Sequence, residues 1–373
     1  MIRFILFFLV CNFVFSQSYY VYVASESDDT VSLLKFENNE INELERITVG
    51  TYPTEIEGPH GITVDPSGKF WYLSLAHGNP FGKLVKYSTE SNEVVDETTL
   101  GLFPASMQVS TTTGFLYCVN FNLHGSMKPS TVSVVDPVTM TEITTITTGS
   151  MPHGSRISPD GLYQYSVAMM SGELFEIDAL GLEVSRTLDL ENKMMKNDGM
   201  KSMDGMKSMD GMKSMDGMKS MDGMKHSMVK PTWVIPHPKQ NLAYIAGNGS
   251  DEVIEVDLDA WKVSDRFKTG KGPYNLEISP DGKLLIGTIK SEGKTAIWNL
   301  DDKKLLGEIK NTTSVSHGIA ISSDSKYAFI SVEGIGGEPG IVDVISLENY
   351  QLISSVEVGK QAGGIAFWKQ DNL

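Results

Sequence analysis

The chain has 373 residues, of which 40% are hydrophobic, 21% are charged and 9% are aromatic. These fractions are typical of a globular protein and exclude both a wholly disordered chain and a protein with many membrane spans. The chain has 31 lysines and arginines against 47 acidic residues, which gives a formal net charge of −16. Such a charge repels phosphate backbones and anionic lipid surfaces, so we expect no nucleic-acid partner.

The first 16 residues have the pattern of a secretory signal peptide. Arg3 precedes an apolar run, Phe4 to Phe15, and the small residue Ser16 follows the run. The run has about twelve residues, fewer than the roughly 20 that span a bilayer, so we expect no membrane span. The alternative is a lipoprotein signal with Cys11 acylated, but Val10 is bulkier than the residue that usually precedes such a cysteine. We therefore predict cleavage after Ser16 and a periplasmic or secreted protein.

A short motif recurs about every 42 to 48 residues along the rest of the chain, except at one insertion described below. Each copy has a proline or small residue, then about six residues of alternating character, and often a turn such as Pro-Asp-Gly. The seven copies contain Pro59, Pro104, Pro152, Pro231, Pro273, Ser316 and Ala362. Further alternating runs follow each of the first six copies. Four short antiparallel strands per unit are typical of a β-propeller blade, so seven copies predict seven blades.

The two ends of the chain are expected to complete one blade. Strands at Tyr20–Ala24, Val31–Phe36 and Glu43–Val49 lack a first strand, whereas Gly363–Trp368 is a first strand with nothing after it. Pairing them closes the ring and removes the open edges that would template aggregation. The sequence therefore predicts an all-β, seven-bladed propeller that forms a single domain over residues 17–373.

Two segments of the repeat carry a resemblance to a known family. Gly149 to Gly161 and Gly270 to Gly282 each combine Gly-x-x-Pro, a short run and Ser-Pro-Asp-Gly. This series resembles that of the YVTN/YncE-like seven-bladed propellers, over nearly the whole mature chain. The same broad group is similar to the amino-terminal propeller of nitrous oxide reductase and to the haem d1 propeller of nitrite reductases. The resemblance implies the fold and no particular activity, because propellers host many unrelated functions.

An insertion interrupts the repeat between its third and fourth copies. Pro152 and Pro231 are 79 residues apart, so roughly 34 residues are added to the usual spacing. We predict that residues 192–229 lack a fixed fold without metal. Glycine recurs there at every sixth residue and costs about 1 kcal/mol of helix propensity each time, and no apolar stripe offsets that cost.

Methionine recurs at every third position of the insert. The nine evenly spaced residues are Met200, Met203, Met206, Met209, Met212, Met215, Met218, Met221 and Met224. Thioethers are soft ligands that select Cu(I), and such segments resemble those of periplasmic copper-handling proteins. The alternative is a tandemly expanded polar linker, since glycine, serine, lysine and aspartate leave little apolar surface to pack.

The expected topology places five histidines on the same face as the insert. The loops before first strands and the loops from second to third strands open on this face. The five residues are His60, His77, His124, His153 and His317. Imidazole is a good copper ligand, so we predict that these histidines and the nine methionines form metal sites. The alternative is that each histidine only binds a neighbouring carbonyl group.

The resemblance bears on this site, because the nitrous oxide reductase propeller builds its copper cluster from blade histidines. Here the positions equivalent to His60 hold Ala105, Thr232, Tyr274 and Gly363 in four blades, so a full histidine ring is absent.

The sequence leaves three classes of function open. It contains no Gly-x-Ser-x-Gly elbow, P-loop or Cys-x-x-Cys pair, and we predict no catalytic residue. The favoured class is copper binding, storage or delivery, with a copper-handling or other periplasmic protein as partner. The alternatives are a non-catalytic interaction scaffold and a lyase or lactonase that acts on a small molecule.

Overall fold

The computed structural model describes residues 17–51, 54–78, 81–123, 127–191 and 226–372. The described residues form 28 β-strands, arranged as seven four-stranded antiparallel sheets in a ring, and one turn of 3-10 helix at Lys290–Glu292. The predicted all-β, seven-bladed propeller is confirmed. In these segments we find no helix with the length and apolar character needed to cross a membrane.

The strands are numbered in chain order. Blade 1 contains both chain ends and consists of β1 (Gln17–Ser25), β2 (Thr30–Glu37), β3 (Glu40–Thr48) and β28 (Ala362–Asn372). Blade 2 consists of β4 (Pro59–Val64), β5 (Phe70–Leu75), β6 (Lys83–Ser88) and β7 (Val94–Thr99). Blade 3 consists of β8 (Pro104–Val109), β9 (Leu116–Asn120), β10 (Pro129–Asp136) and β11 (Thr141–Ser150). Blade 4 consists of β12 (Pro152–Ile157), β13 (Tyr163–Ala168), β14 (Glu173–Asp178) and β15 (Glu183–Asp189). Blade 5 consists of β16 (Pro231–Pro236), β17 (Leu242–Gly247), β18 (Glu252–Asp257) and β19 (Lys262–Lys268). Blade 6 consists of β20 (Pro273–Ile278), β21 (Leu284–Ile289), β22 (Lys294–Asn299) and β23 (Leu305–Lys310). Blade 7 consists of β24 (Ser316–Ile321), β25 (Tyr327–Val332), β26 (Gly340–Ser346) and β27 (Gln351–Val358).

Blade 1 closes the ring as predicted. Strand β28 pairs antiparallel with β1, from Gln17 opposite Asn372 to Ser25 opposite Ala362. Both strands are longer than predicted, because β1 begins at Gln17 and gives β28 a partner as far as Asn372. Trp368 of β28 also donates a hydrogen bond of 2.9 Å from its indole nitrogen to the carbonyl oxygen of Gly68 in blade 2. The last strand therefore joins two blades.

The Ser-Pro-Asp-Gly motif forms the turn between the first and second strands of a blade. In blade 4 the amide of Gly161 donates to the carbonyl oxygen of Ser158 at 2.9 Å, and Gly161 has a φ of +74°. Gly282 repeats this arrangement in blade 6 with a φ of +80°. This left-handed backbone is open to glycine at little cost, which explains why glycine ends the motif.

The apolar core lies between adjacent blades. Tyr22 of blade 1 stacks on Trp71 of blade 2 with ring centroids 5.1 Å apart, and Trp71 stacks on Tyr87 at 3.8 Å. Most inner-strand residues are buried, whereas the outer strand β15 alternates between exposed and half-buried residues. Cys118 is fully buried among apolar side chains, as expected of a small core residue.

We predict that Trp368→Ala lowers the free energy of unfolding by about 3 kcal/mol, because it removes aromatic contacts with Tyr20 and Tyr22 in blade 1 and a hydrogen bond to Gly68 in blade 2. Urea denaturation measures the change. Leu180→Ala is the control, since Leu180 is 70% exposed and its loss should change stability by at most about 0.5 kcal/mol. Equal effects of the two substitutions would contradict this role of the last strand.

Candidate functional site at the channel mouth

The inner strands bring three of the predicted histidines to one mouth of the central channel. His60, His153 and His317 each occupy the second position of an inner strand, in β4, β12 and β24. The ring centroids of His60 and His317 are 6.0 Å apart. The Tyr274 ring lies between the rings of His153 and His317, with centroid distances of 5.1 Å to His153 and 4.7 Å to His317. His60 and His317 therefore form a pair of imidazoles. The third imidazole, that of His153, contacts this pair through Tyr274.

Glu26 joins His60 to a fourth predicted histidine, His77. Its two carboxylate oxygens lie 2.8 Å from His60 Nδ1 and 2.8 Å from His77 Nε2. Burial alone raises the pKa of Glu26, but the charges and hydrogen bonds of both imidazoles outweigh burial and hold this pKa well below its usual range. The hydrogen bond to Glu26 in turn raises the pKa of His77. This part of the mouth is thus an ionised carboxylate held between two imidazoles.

Gly58 provides the space for His77. A Cβ atom at Gly58 would lie 2.7 Å from the His77 ring, and Gly58 has a φ of +65°. A larger residue at this position would push His77 away from Glu26.

Both nitrogens of His153 already have partners. Nδ1 lies 2.8 Å from the carbonyl oxygen of Thr232, and Nε2 lies 2.8 Å from the hydroxyl oxygen of Tyr274. The Nδ1–H group therefore donates to the carbonyl, and Nε2 accepts from the tyrosine hydroxyl. Burial, followed by the charge of His60, lowers the pKa of His153 to about 3. His153 is a neutral residue with no lone pair left for a metal ion in this arrangement.

His317 differs from His153, because one of its nitrogens has no partner. Nε2 lies 3.6 Å from a Glu333 carboxylate oxygen, whereas the buried Nδ1 atom has no hydrogen-bond partner among the described residues. Burial, followed by the charge of Lys290, lowers the pKa of His317 well below its ordinary value. The Lys290 ammonium group lies 2.7 Å from Glu333 and 4.1 Å from the centre of the Tyr274 ring. The mouth therefore also holds a lysine–glutamate pair beside a neutral imidazole.

Glu26, Lys290 and Glu333 were not predicted as site residues, although the repeat contained the signal. Each residue comes directly after the second strand of its blade, at β1, β21 and β25. This is the same repeat position in three blades, and it faces the mouth. An alignment of the residues that follow the second strands, in addition to the first strands, identifies Glu26, Lys290 and Glu333.

The other predicted site residues all fall in segments that the structure does not describe. His124 and the nine methionines from Met200 to Met224 lie outside the described residues. At the end of the predicted insert, the structure does describe residues 226–229, where Ser227 is 2% exposed and Val229 is 3% exposed. These last residues are already packed on the propeller, so the segment without a described position is 192–225.

Within the described segments, no group of three or more histidine, cysteine, aspartate or glutamate side chains has an arrangement that could hold a metal ion. Among the described histidines, cysteines and acidic residues, the mouth therefore offers at most a two-imidazole arrangement, His60 with His317.

We predict that His153 makes the protein less stable in acid. As the pH falls below 6.5, the unfolded chain takes up a proton at this histidine while the folded chain, with a pKa of about 3, does not. His153→Gln removes this difference. The loss of unfolding free energy between pH 7 and pH 5 should then shrink by about 2 kcal/mol. His226→Gln, at an exposed position, is the control. An unchanged pH dependence in His153→Gln would contradict the buried neutral state.

Comparison with known proteins agrees with the fold. The model of the YNCE-like β-propeller family matches residues 107–331. A comparison with curated protein sequences gives no match. Among solved structures, the chain is similar to hydrazine synthase of Kuenenia stuttgartiensis, with a TM-score of 0.59 and 20% identity over 81% of this chain and 80% of that one.

Two further structures are similar over nearly their whole length. A protein of unknown function from Desulfotomaculum acetoxidans has a TM-score of 0.68 and 15% identity, over 94% of this chain and 98% of that one. A candidate 6-phosphogluconolactonase from Bacteroides uniformis has a TM-score of 0.67 and 14% identity, over 94% and 99%. At these identities the structures show the fold alone. The matched family model spans more than half of the sequence, and the chain belongs to the YNCE-like β-propeller family.

Proposed function

We propose that this propeller binds copper, with the methionine-rich insert capturing Cu(I) and the imidazoles at the channel mouth accepting it. The observation that carries the proposal is the unpartnered Nδ1 atom of His317, which belongs to a buried neutral imidazole beside His60 and has no hydrogen-bond partner among the described residues. A neutral imidazole nitrogen with a free lone pair is a ready copper ligand.

The spacing of the pair supports a shared ion. Two imidazoles that bind one metal ion place their ring centroids roughly 5 to 6 Å apart, given a metal–nitrogen distance of about 2 Å. His60 and His317 are 6.0 Å apart. Glu26 and Glu333 lie next to these two rings and carry two negative charges against the single charge of Lys290. When His60 and His77 are neutral, a monovalent cation would therefore enter a site whose nearby fixed charge is negative.

The anchoring of the insert supports capture on this face. A Glu191 oxygen accepts hydrogen bonds from the Ser227 hydroxyl at 2.8 Å and from the Met228 amide at 2.9 Å. The Ser227 amide donates to the carbonyl oxygen of Met170, in the loop that follows the second strand of blade 4. The residues that flank 192–225 are thus held together on the face of the channel mouth. The proposal requires the nine thioethers between these anchors to reach the imidazoles.

Two of the other predicted ligands bind protein groups in this proposal. His77 holds Glu26 in place beside His60, whereas both His153 nitrogens bond to Thr232 and Tyr274. His124 remains a predicted ligand on the same face.

We propose further that the protein is secreted or periplasmic, and that it exchanges copper with a protein partner at the mouth. The signal-like segment 1–16 is the basis for the compartment. Four large apolar side chains in loops of the mouth face support a docking surface, since they are 41 to 58% exposed: Ile56, Phe81, Leu102 and Ile335.

A second candidate is an enzyme that acts on a small molecule. The contact between Glu26 and His60 and the pair of Lys290 with Glu333 provide acid and base groups around one opening. The fold shared with a candidate 6-phosphogluconolactonase suggests a phosphorylated sugar lactone as the first probe. Hydrolysis of this lactone by metal-free protein, abolished in Glu26→Gln, would favour the enzyme over copper binding.

We predict that replacing the nine evenly spaced methionines of the insert by leucine lowers the Cu(I) stoichiometry from several ions to about one, because leucine keeps the apolar bulk and removes the sulfur. Metal analysis after anaerobic Cu(I) loading and desalting measures the change, and circular dichroism should stay the same. Replacing Lys201, Lys207, Lys213 and Lys219 by glutamine is the matched control. If the leucine variant retained all its copper, the insert would be only a linker.

We predict that the double substitution His60→Ala and His317→Ala, made in the leucine variant, lowers the affinity for the remaining copper ion at least tenfold, or about 1.4 kcal/mol. Competition with a chromogenic Cu(I) chelator measures the affinity. His153→Gln in the same background is the control and should leave the affinity unchanged, because both His153 nitrogens have other partners. Equal affinities in the double variant and its parent would remove the imidazole pair from the proposal.

A further inference from the structure

The ligand types at the channel mouth do not by themselves select Cu(I). Thioethers favour Cu(I), but imidazole also binds Zn(II) and Cu(II), and carboxylates favour harder ions. A carboxylate lies next to each imidazole of the pair, Glu26 at 2.8 Å from His60 and Glu333 at 3.6 Å from His317. A mouth that accepts Cu(I) from the insert therefore needs a second means of selection against divalent ions.

Lys290 places a fixed positive charge beside the imidazole pair. Its ammonium group lies 2.7 Å from the Glu333 oxygen that is 3.6 Å from His317 Nε2. The ammonium group is therefore within roughly 6 Å of this nitrogen, a distance over which two charges interact strongly. A second contact holds the lysine there, because its Nζ atom lies 4.1 Å from the centre of the Tyr274 ring.

The repeat shows that this lysine is an exception. Lys290 comes directly after the second strand of blade 6. The same position in the other six blades holds two carboxylates and four uncharged residues: Glu26, Ala76, Phe121, Met169, Asn248 and Glu333. Blade 6 therefore places a cation at a position that no other blade fills with one.

The charges next to the two rings add up to a single negative charge. Glu26 and Glu333 contribute two negative charges and Lys290 contributes one positive charge, when the imidazoles beside Glu26 are neutral. A monovalent ion cancels this sum. A divalent ion leaves one positive charge uncompensated in a partly buried site, which is costly. Without Lys290, the sum would match a divalent ion instead.

We infer that Lys290 excludes divalent metal ions from the pair of His60 and His317 and so reserves this pair for Cu(I). The lysine acts through its charge and is not a ligand, because an ammonium group has no lone pair. The inference rests on the proposed function for the identity of the accepted ion. The exclusion of divalent ions is measured with zinc alone.

The test compares Zn(II) affinities with and without Lys290→Gln, in the variant whose nine insert methionines are replaced by leucine. Competition with a chromogenic Zn(II) chelator measures the affinity at about pH 8, well above the ordinary histidine pKa. We expect Lys290→Gln to raise the Zn(II) affinity at least tenfold. The Coulomb energy of an ion is proportional to its charge, so a tenfold rise for Zn(II) corresponds to only about a threefold rise for Cu(I).

Lys283→Gln is the matched control. Lys283 directly precedes β21 and Lys290 directly follows it, so the two residues lie roughly 23 Å apart along the strand. Lys283 is also paired with a carboxylate, that of Asp281, at 3.6 Å. The separation exceeds the Debye length of about 10 Å, so this substitution should leave the Zn(II) affinity unchanged.

Glu333→Gln changes the charge in the opposite direction and keeps the test valid if Lys290→Gln does not fold. It should lower the Cu(I) affinity at least threefold and the Zn(II) affinity by a larger factor. Equal changes for the two ions in either variant, or an unchanged Zn(II) affinity in Lys290→Gln, would overturn the inference.

The location of the zinc ion is tested by adding His60→Ala and His317→Ala to Lys290→Gln. The gain in Zn(II) affinity should then be lost, and a gain that persisted would overturn the inference, because the ion would lie elsewhere. Failure of the unchanged protein to bind Cu(I) would refute the proposed function instead, and the zinc comparison would still decide whether Lys290 excludes divalent ions.

Discussion

The pairing of β1 with β28 is the interaction on which the rest of the structure depends. It joins residues more than 300 positions apart, closes seven blades into a ring and thereby holds seven inner strands around one channel. The same pairing builds the site directly. Glu26 follows the last residue of β1 and reaches His60 and His77, and Gly363 of β28 lies beside the His317 ring. The pairing of β1 with β28 therefore contributes both to the stability of the ring and to the geometry of the site.

The channel mouth combines an ionised half with a neutral half. Around Glu26, hydrogen bonds and charge outweigh burial and keep the carboxylate ionised. Around His153 and His317, burial and the neighbouring positive charges of His60 and Lys290 lower both pKa values and keep both imidazoles neutral. Neutral imidazole is the form that can bind a metal, and a nearby negative charge favours a cation. The same burial makes the two neutral histidines lower the free energy of unfolding in acid, because only the unfolded chain can protonate them freely.

The fold could be predicted from the sequence because its signals repeat. Pro-Asp-Gly turns and alternating runs recur in successive blades, and the incomplete sets of strands at the two ends fit only as one blade. The positions of His60, His77, His153 and His317 on one face also followed from strand direction. Their separate roles did not, because those depend on partners distant in sequence: Thr232 and Tyr274 for His153, and Glu26 for His60 and His77. The second residues of the seven inner strands are equivalent in the repeat, but they differ in function because each contacts different side chains across the channel.

Anomalous diffraction at the copper absorption edge, from crystals of copper-loaded protein, tests the central claim most directly. The proposal predicts a peak between His60 and His317, about 2 Å from one nitrogen of each ring. Copper found only away from the channel mouth, or no copper peak from fully loaded crystals, would contradict it.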